Sequence, residues 1–499
     1  MSNCASNGKE HGMKKLFSRN TGLALLLLAL GLTGCGGGGG SSSPNDTTQV
    51  PPTQDEDPND NNDTVNEEDS GGSPDAPEED PIVKSLTVYD EHLVSVDSFV
   101  GSINGPFVGL SESGEALAVW VTSDIDVLGS GEWNSTLHSM TGDIATKSWA
   151  EEQMLPLPKV VAAQMDMGSN GDAVIALSDD ESVTVFHYTV AGGLGAPMQL
   201  KSVDNAAVVA LDVNDRGDAM LVWQEFDTEE TVSRLYDKDS QSWGGEVVMN
   251  VAANGDTYST QGHVNISLNN AGQALFVDSV VRSGQSGEAV IARFYDGTNW
   301  SNLRGDETSV FPYADADSVS AFLDDQGRIV VGMGRRAPGE VYISSGTITQ
   351  GLSEASLAFY NYSNQGLFQL DARWIGENQI TATFVGRDLG SKHYASFSED
   401  SGATWKVAGF FNGTYGNDSA KSSNSNDTIY IQDGKQCDSG DGFTAPLTVL
   451  NPDLTVKQAC VITRMTSVDI AVNDAGQGVV MGESDAADFL VFHFFESNY

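Results

Sequence analysis

Eight times from Ser111 onward the chain repeats one local pattern: a polar turn, usually with a glycine, followed by a short apolar run. The copies read SESGEALAVW (111–120), GSNGDAVIAL (168–177), NDRGDAMLVW (214–223), NNAGQALFVD (269–278) and DDQGRIVVGM (324–333). Two weaker copies, GENQITATFV (376–385) and SNDTIYIQDG (425–434), precede the last, NDAGQGVVMG (473–482). A spacing of about 46 to 57 residues accommodates four short strands per copy, the content of one β-propeller blade. The fold expected is all-β: a propeller of eight blades, with seven left open by the weakness of the copies near 376 and 425.

From Ile82 onward each ordered-looking stretch is short, apolar and bounded by Gly, Asn, Asp or Ser, and none carries the helical period. The runs are apolar at consecutive positions, as in a strand covered on both faces. Small residues such as Ala116, Ala118, Ala173 and Ala219 suit tight packing near a central axis. The turn glycines fit hairpins that need a positive φ. A second mark follows four of the anchors: Trp149, Trp243, Trp300 and Trp405 each open an expected outer strand. A tryptophan repeated in register is a packing residue. After Thr466 only three strands fit, near 467–473, 477–482 and 489–495. The segment 82–89 is expected to supply the fourth, closing the ring of blades and removing free sheet edges.

Residues 13–35 read MKKLFSRNTGLALLLLALGLTGC. Lys14, Lys15 and Arg19 precede an apolar core from Leu23 to Leu32, too short to span a bilayer, so residues 1–34 read as a signal peptide. Translation is expected to start at Met13. The ending Leu32-Thr33-Gly34-Cys35 resembles the lipobox of bacterial lipoproteins. That resemblance implies a diacylglycerol on Cys35, and Gly36 after it implies retention at the outer membrane rather than the inner one. Residues 35–80, Gly/Ser-rich and then acidic, hold too little apolar surface to fold and read as a disordered tether to a propeller over 81–499.

The chain carries a net charge of −45. Thirteen acids crowd into Asp46 to Asp80 with no Lys or Arg among them, and the propeller region holds about −35. Such a field excludes nucleic acid as a partner. Removal of the leader and lipidation of Cys35 leave two thiols. Cys437 and Cys460, in an oxidising compartment, are expected to form a disulfide.

The segment Ser398, Glu399, Asp400, Ser401, Gly402, Ala403, Thr404, Trp405 resembles the Asp-box, S-x-D-x-G-x-T-W, of sialidase-like propellers. In that family the box is a structural hairpin remote from catalysis, which implies that Ser398, Asp400, Gly402, Thr404 and Trp405 shape a turn. Active sialidases clamp the substrate carboxylate with three arginines, the first in an Arg-Ile-Pro-type motif. No arginine occurs here between Arg19 and Arg216, and the neighbours Arg335 and Arg336 would point to opposite faces of a strand. HExxH, the G-x-S-x-G elbow, the Walker loop and EF-hand spacing are absent. The histidines are scattered, and no metal site is read. Asp-rich turns at 212–218 and 324–325 leave Ca²⁺ as the one cofactor to test, against local turn hydrogen bonds. The reading is a lipid-anchored, non-catalytic propeller that binds a protein or glycan ligand at the cell envelope. The alternatives are a sialidase-like glycoside hydrolase and an assembly factor for outer-membrane proteins.

Overall fold

The computed structural model describes residues 85–95, 103–125, 133–251, 258–281, 288–303, 309–311, 316–335, 339–361, 367–386, 392–409, 419–423, 428–432, 446–450, 456–460, 465–484 and 489–498. All fall in one unit, Asp80–Tyr499. Cys35, the signal and the tether lie outside the described residues, as does Cys437, the partner expected for Cys460.

The described residues contain no helix and form eight antiparallel sheets of four or five strands. Sheet 1 comprises Ile103–Leu110, Glu115–Ile125, Trp133–Asp143, Ser148–Trp149 and Gln153–Leu157, and sheet 2 begins with Ala162–Met167, Ala173–Ser178 and Ser182–Thr189. The first strands of sheets 3 to 7 are Ala206–Val213, Ser259–Leu268, Ala316–Leu323, Leu367–Trp374 and Ser419–Ser423. Sheet 8 takes Met465–Val472, Gln477–Ser484 and Phe489–Asn498 from the end of the chain. Its remaining strands come from the beginning: Ser85–Val88 and His92–Ser95 both pair with Phe489–Asn498, with Val88 opposite Phe495 and His92 opposite Phe492. Each sheet is an open ladder, and none closes on itself.

In sheets 1 to 7 the strand order follows the chain, and in sheet 8 it does so from Met465–Val472 to Phe489–Asn498, so Met465–Val472 and the first strands of the other sheets each form one edge. First strands pack on first strands from sheet 1 through sheet 6, from sheet 7 to sheet 8, and from sheet 8 back to sheet 1. The consecutively apolar runs are the second strands. Ala173–Ser178, Ala219–Glu225 and Ile380–Gly386 are buried at every position, because each is flanked by strands within its sheet and covered by the neighbouring sheets. The small residues expected at an axis therefore lie in the second strands rather than in the edge strands. The first strands, with one edge unpaired, are only half-buried, as along Ala162–Met167.

The core divides between sheets accordingly. Trp120 and Met140 of sheet 1 pack with Val479, Met481 and Phe492 of sheet 8, while Val174 and Val185 of sheet 2 pack with Leu221 and Trp223 of sheet 3. The repeated tryptophans reach the same seams. Trp149 stacks on Phe494 of sheet 8 with ring centroids 5.1 Å apart, and Trp243 donates to His187 Nε2 of sheet 2 at 3.1 Å.

Candidate functional site

A strand at a sheet edge leaves alternate backbone N–H groups without a ladder partner. Here polar side chains of the preceding sheet take up several of them. Val108 N–H of sheet 1 donates to Asp469 Oδ2 of sheet 8 at 2.8 Å. Val213 N–H of sheet 3 donates to Asp166 Oδ2 of sheet 2 at 2.6 Å, and Leu268 N–H of sheet 4 donates to Asp212 Oδ2 of sheet 3. Farther along the acceptors are neutral: Ser267 Oγ receives Leu323 N–H at 3.0 Å, and Ser320 Oγ receives Ala372 N–H at 2.9 Å.

The three carboxyls lie on first strands, forming an acidic row at the edges by which the sheets pack on one another. Burial raises Asp469 to about 6, opposed by the Val108 N–H and reinforced by the charge of Asp166. Burial also raises Asp166. Asp212 is pushed well above the carboxylate range, first by burial and then by the neighbouring Asp166 charge. All three residues are half-buried. A fourth acid, Asp278 in Ala274–Val281, is fully buried and raised to about 8 by desolvation, although Thr260 Oγ1 donates to it at 2.9 Å. Of these acids the sequence singled out only Asp212, and that as part of the Asp-rich turn at 212–218. The available signal was an Asp two residues before the turn in both AQMDM and ALDV, on strands otherwise apolar.

The repeated turns also bond to one another. Asn214 Oδ1 caps its own turn by accepting Arg216 N–H and Asp218 N–H, while its Nδ2 donates to Asn269 O of the next turn at 2.9 Å. Asn269 repeats this toward Asp324 O at 3.1 Å, and Asn473 toward Ser111 O at 3.2 Å. The following residue adds a second link: Asp474 N–H donates to Glu112 Oε1, Ser169 N–H to Asp215 Oδ1, Asp215 N–H to Asn270 Oδ1, and Asn270 N–H to Asp325 Oδ1. Glu112 N–H donates to Ser169 O, and Arg328 carries the series to Gly376 O. A girdle of hydrogen bonds thus runs from the turn of sheet 8 through sheets 1 to 6. The turn glycines hold the shape, with φ of 91° at Gly114, 87° at Gly217 and 73° at Gly476. Of the acids in the turns read as candidate Ca²⁺ sites, Asp215, Asp324 and Asp325 are members of this girdle, and no group of three metal-ligating side chains occurs among the described residues.

At the Asp-box-like segment, Asp400 Oδ1 accepts Thr404 N–H at 2.8 Å and Ser398 Oγ at 2.8 Å, and its Oδ2 accepts Thr404 Oγ1 at 2.7 Å. These donors hold the exposed carboxyl at about 2. Gly402, at φ 90°, donates to Ser398 Oγ, and Trp405 Nε1 donates to Gly402 O and to Ser356 Oγ of sheet 5, each at 3.0 Å. The five residues meet in one hairpin, remote in sequence from the acidic row.

Two further arrangements bear on chemistry. His138 lies between Glu152 Oε1, 2.6 Å from Nδ1, and Thr122 Oγ1, 2.8 Å from Nε2, with its ring stacked on Trp120 at 5.1 Å. This relay crosses adjacent strands of sheet 1 and fixes the imidazole at the seam with sheet 8. The six described arginines all hold protein oxygens. Arg216 meets Asp239, Arg234 meets Glu246, Arg328 meets Asp324, Arg335 meets Glu340 and Arg373 meets Asp371, while Arg293 donates to Val251 O.

No protein-family model matches the chain, and no curated protein matches it. Among solved structures it is similar to the β-propeller domain of the Trilobed protease from Pyrococcus furiosus, at 11% identity and a TM-score of 0.39, covering 72% of this chain and 98% of that one. It is also similar to polysaccharide lyase Uly1, at 8% identity and a TM-score of 0.43, covering 79% and 90%. A mutant NanB sialidase from Streptococcus pneumoniae matches at 8% identity and a TM-score of 0.35, covering 84% and 99%. These neighbours include β-propeller and sialidase-like folds.

Proposed function

We propose that residues 81–499 form an eight-bladed β-propeller, closed by pairing of the N- and C-terminal strands, that acts as a non-catalytic module binding a protein or glycan at the cell envelope. A lipid on Cys35 holds it at the outer membrane through the acidic tether. The blade count is supported by eight sheets with a common strand order, and closure by the strands Ser85–Val88 and His92–Ser95 on Phe489–Asn498.

The non-catalytic part rests on one observation: the described arginines are committed to protein oxygens, five of them to carboxylates. A guanidinium already paired, in a domain of strongly negative charge, is a poor clamp for a substrate carboxylate. Turnover of a fluorogenic sialoside by the purified chain is expected to equal buffer, and turnover well above it would overturn the reading. Binding is tested by a glycan array and by site-specific photocrosslinking in intact cells. The anchor is tested by Cys35→Ser, which is expected to leave the membrane fraction. A variant that still sediments with outer membranes after carbonate washing would remove the lipid assignment.

A further inference from the structure

Thr122 and His138 lie on neighbouring strands of sheet 1, Glu115–Ile125 and Trp133–Asp143, with His138 directly opposite Trp120 in the ladder. Thr122 Oγ1 stands 2.8 Å from Nε2 of the imidazole, and Glu152 Oε1 stands 2.6 Å from Nδ1. A carboxylate only accepts hydrogen bonds, so Nδ1 carries a hydrogen toward Glu152. Nε2 is then the bare nitrogen, and the Thr122 hydroxyl donates to it. Hydroxyl, imidazole and carboxylate in that order are a nucleophile, its base and the group that orients the base. The His138 ring is buried and stacked within 9° of parallel on Trp120, which holds the base in one orientation. Thr122 and Glu152 are half-buried, and Met154, opposite His138 on the outer strand, is exposed, so the relay lies at the protein surface. A second observation marks the same place. Trp223 holds in sheet 3 the position of Trp120, and its Nε1 donates at 3.0 Å to Glu225, two residues on. In sheet 1 the residue two on is Thr122, whose hydroxyl faces His138 instead, and Trp120 Nε1 is buried with no acceptor. The Thr122–His138 bond is thus kept although a buried N–H on the same face of the strand goes without a partner, a local cost of the kind expected at a functional site.

We propose that Thr122 is an acyl acceptor, with His138 as its base and Glu152 as the positioning residue, and that the module captures a ligand bearing a carboxylic ester by taking the acyl group onto Thr122. As Thr122 Oγ1 attacks the carbonyl carbon of the ester, its proton passes to His138 Nε2. The bond from that carbon to the alcohol oxygen breaks, and the departing oxygen takes the proton back from Nε2. The products are an ester on Thr122 and the free alcohol. Nothing is oxidised or reduced, and no co-reactant is consumed. Glu152 accepts from Nδ1 throughout and favours the imidazolium while it exists. The step ends at the acyl-protein, so the module binds covalently without turning over; in this it rests on the non-catalytic, ligand-binding reading.

p-Nitrophenyl acetate is the probe, used on the purified full chain. The expected result is a burst of one p-nitrophenolate per chain and then no release above buffer, with the acetyl group mapped to Thr122 by mass spectrometry of peptides. Thr122→Val is expected to lose both the burst and the acetyl group, and His138→Gln and Glu152→Gln to slow the burst by about 10²-fold or more. Glu152→Asp, which keeps the carboxylate, is expected to restore part of the rate. No burst from the wild type, an acetyl group mapped to another side chain, or an unchanged burst in Thr122→Val overturns the proposal. Release continuing past one per chain overturns capture. Should Thr122→Val fail to fold, Thr122→Ser is read instead: it keeps the hydroxyl, is expected to take the acetyl group at position 122, and overturns the proposal if it does not. The probe stands in for no natural ligand, so a failure here is distinct from a failure to find a ligand on the glycan array.

Discussion

Asn473 Nδ2 donates to the carbonyl of Ser111 at 3.2 Å, joining the turn of the last sheet to the turn of the first across 362 positions of sequence. The same bond recurs from Asn214 to Asn269 and from Asn269 to Asp324 between successive sheets. The asparagine that starts each of these three turns therefore has two tasks. Its oxygen shapes its own hairpin, and its nitrogen fastens the next one. Sheet 8 is thus fastened to sheet 1 by the device that fastens sheet 3 to sheet 4 and sheet 4 to sheet 5.

Removing that side chain tests the girdle directly. Asn473→Ala is expected to cost about 1–3 kcal/mol, because Gln477 N–H and the Ser111 carbonyl lose partners in a buried site. Asn473→Asp keeps the acceptor for Gln477 N–H and loses the donor to Ser111, so it separates the two tasks. Denaturant unfolding of the full chain measures both, and Asn473→Asp at wild-type stability would show that the bond between turns contributes nothing.

The raised acids give stability an unusual pH dependence. Asp469 is held at about 6 when folded, above its ordinary value of 3.8. Its stabilising contribution is therefore complete below about 4 and is lost as pH rises through about 6. The loss is on the order of 3 kcal/mol. Asp278, at about 8, extends the decline upward. Asp469→Asn keeps an acceptor for Val108 N–H and is expected to flatten the lower part of the profile. A wild-type melting temperature that climbs from pH 4 to pH 7 would contradict this sign.

At Asp400 the sign reverses. Its donors hold it at about 2, so its contribution is complete above the ordinary value and disappears as pH falls through about 2. Asp400→Ala is expected to loosen the 398–405 hairpin and expose it to proteases while the melting temperature moves little. Cleavage within 399–404, mapped by mass spectrometry, is the readout.

The fold was more legible in this chain than the site. Positive-φ glycines followed by consecutive apolar residues mark a hairpin leading into a doubly covered strand, and that physics is local. The pairing of 85–88 with the last strand was legible too, because counting strands after Thr466 leaves one missing. The acidic row was not. An Asp in a short apolar strand looks the same in sequence whether it meets solvent or another strand's N–H, and only the neighbouring sheet decides. The Asp-rich turns at 212–218 and 324–325 read as local hydrogen bonding or a cation site. Part of their bonding is instead to the adjacent turn, 55 residues away.

The cysteines carry a prediction from sequence alone. A disulfide between Cys437 and Cys460 would stabilise by roughly 3 kcal/mol through the loop it closes. Thiol titration of unfolded, unreduced protein is expected to find neither free, and two free thiols per chain would end the assignment.

Gly478 lies in the second strand of sheet 8, where no positive φ requires glycine. Its reason is steric: a Cβ built there would run into the ring of Phe495, which sits directly opposite in the ladder. Phe495 is fully buried and pairs with Val88 on its other side, so the ring cannot swing away without disturbing the strand contributed by the N-terminus. Overpacking of this kind costs about 1–3 kcal/mol. Gly478→Ala is therefore expected to destabilise the chain by that amount. Replacing Phe495 by Leu in the same chain should recover part of the loss, because the smaller side chain frees the space. Denaturant unfolding of the two single variants and the double variant measures the coupling, and strictly additive effects would mean that the glycine is present for some other reason.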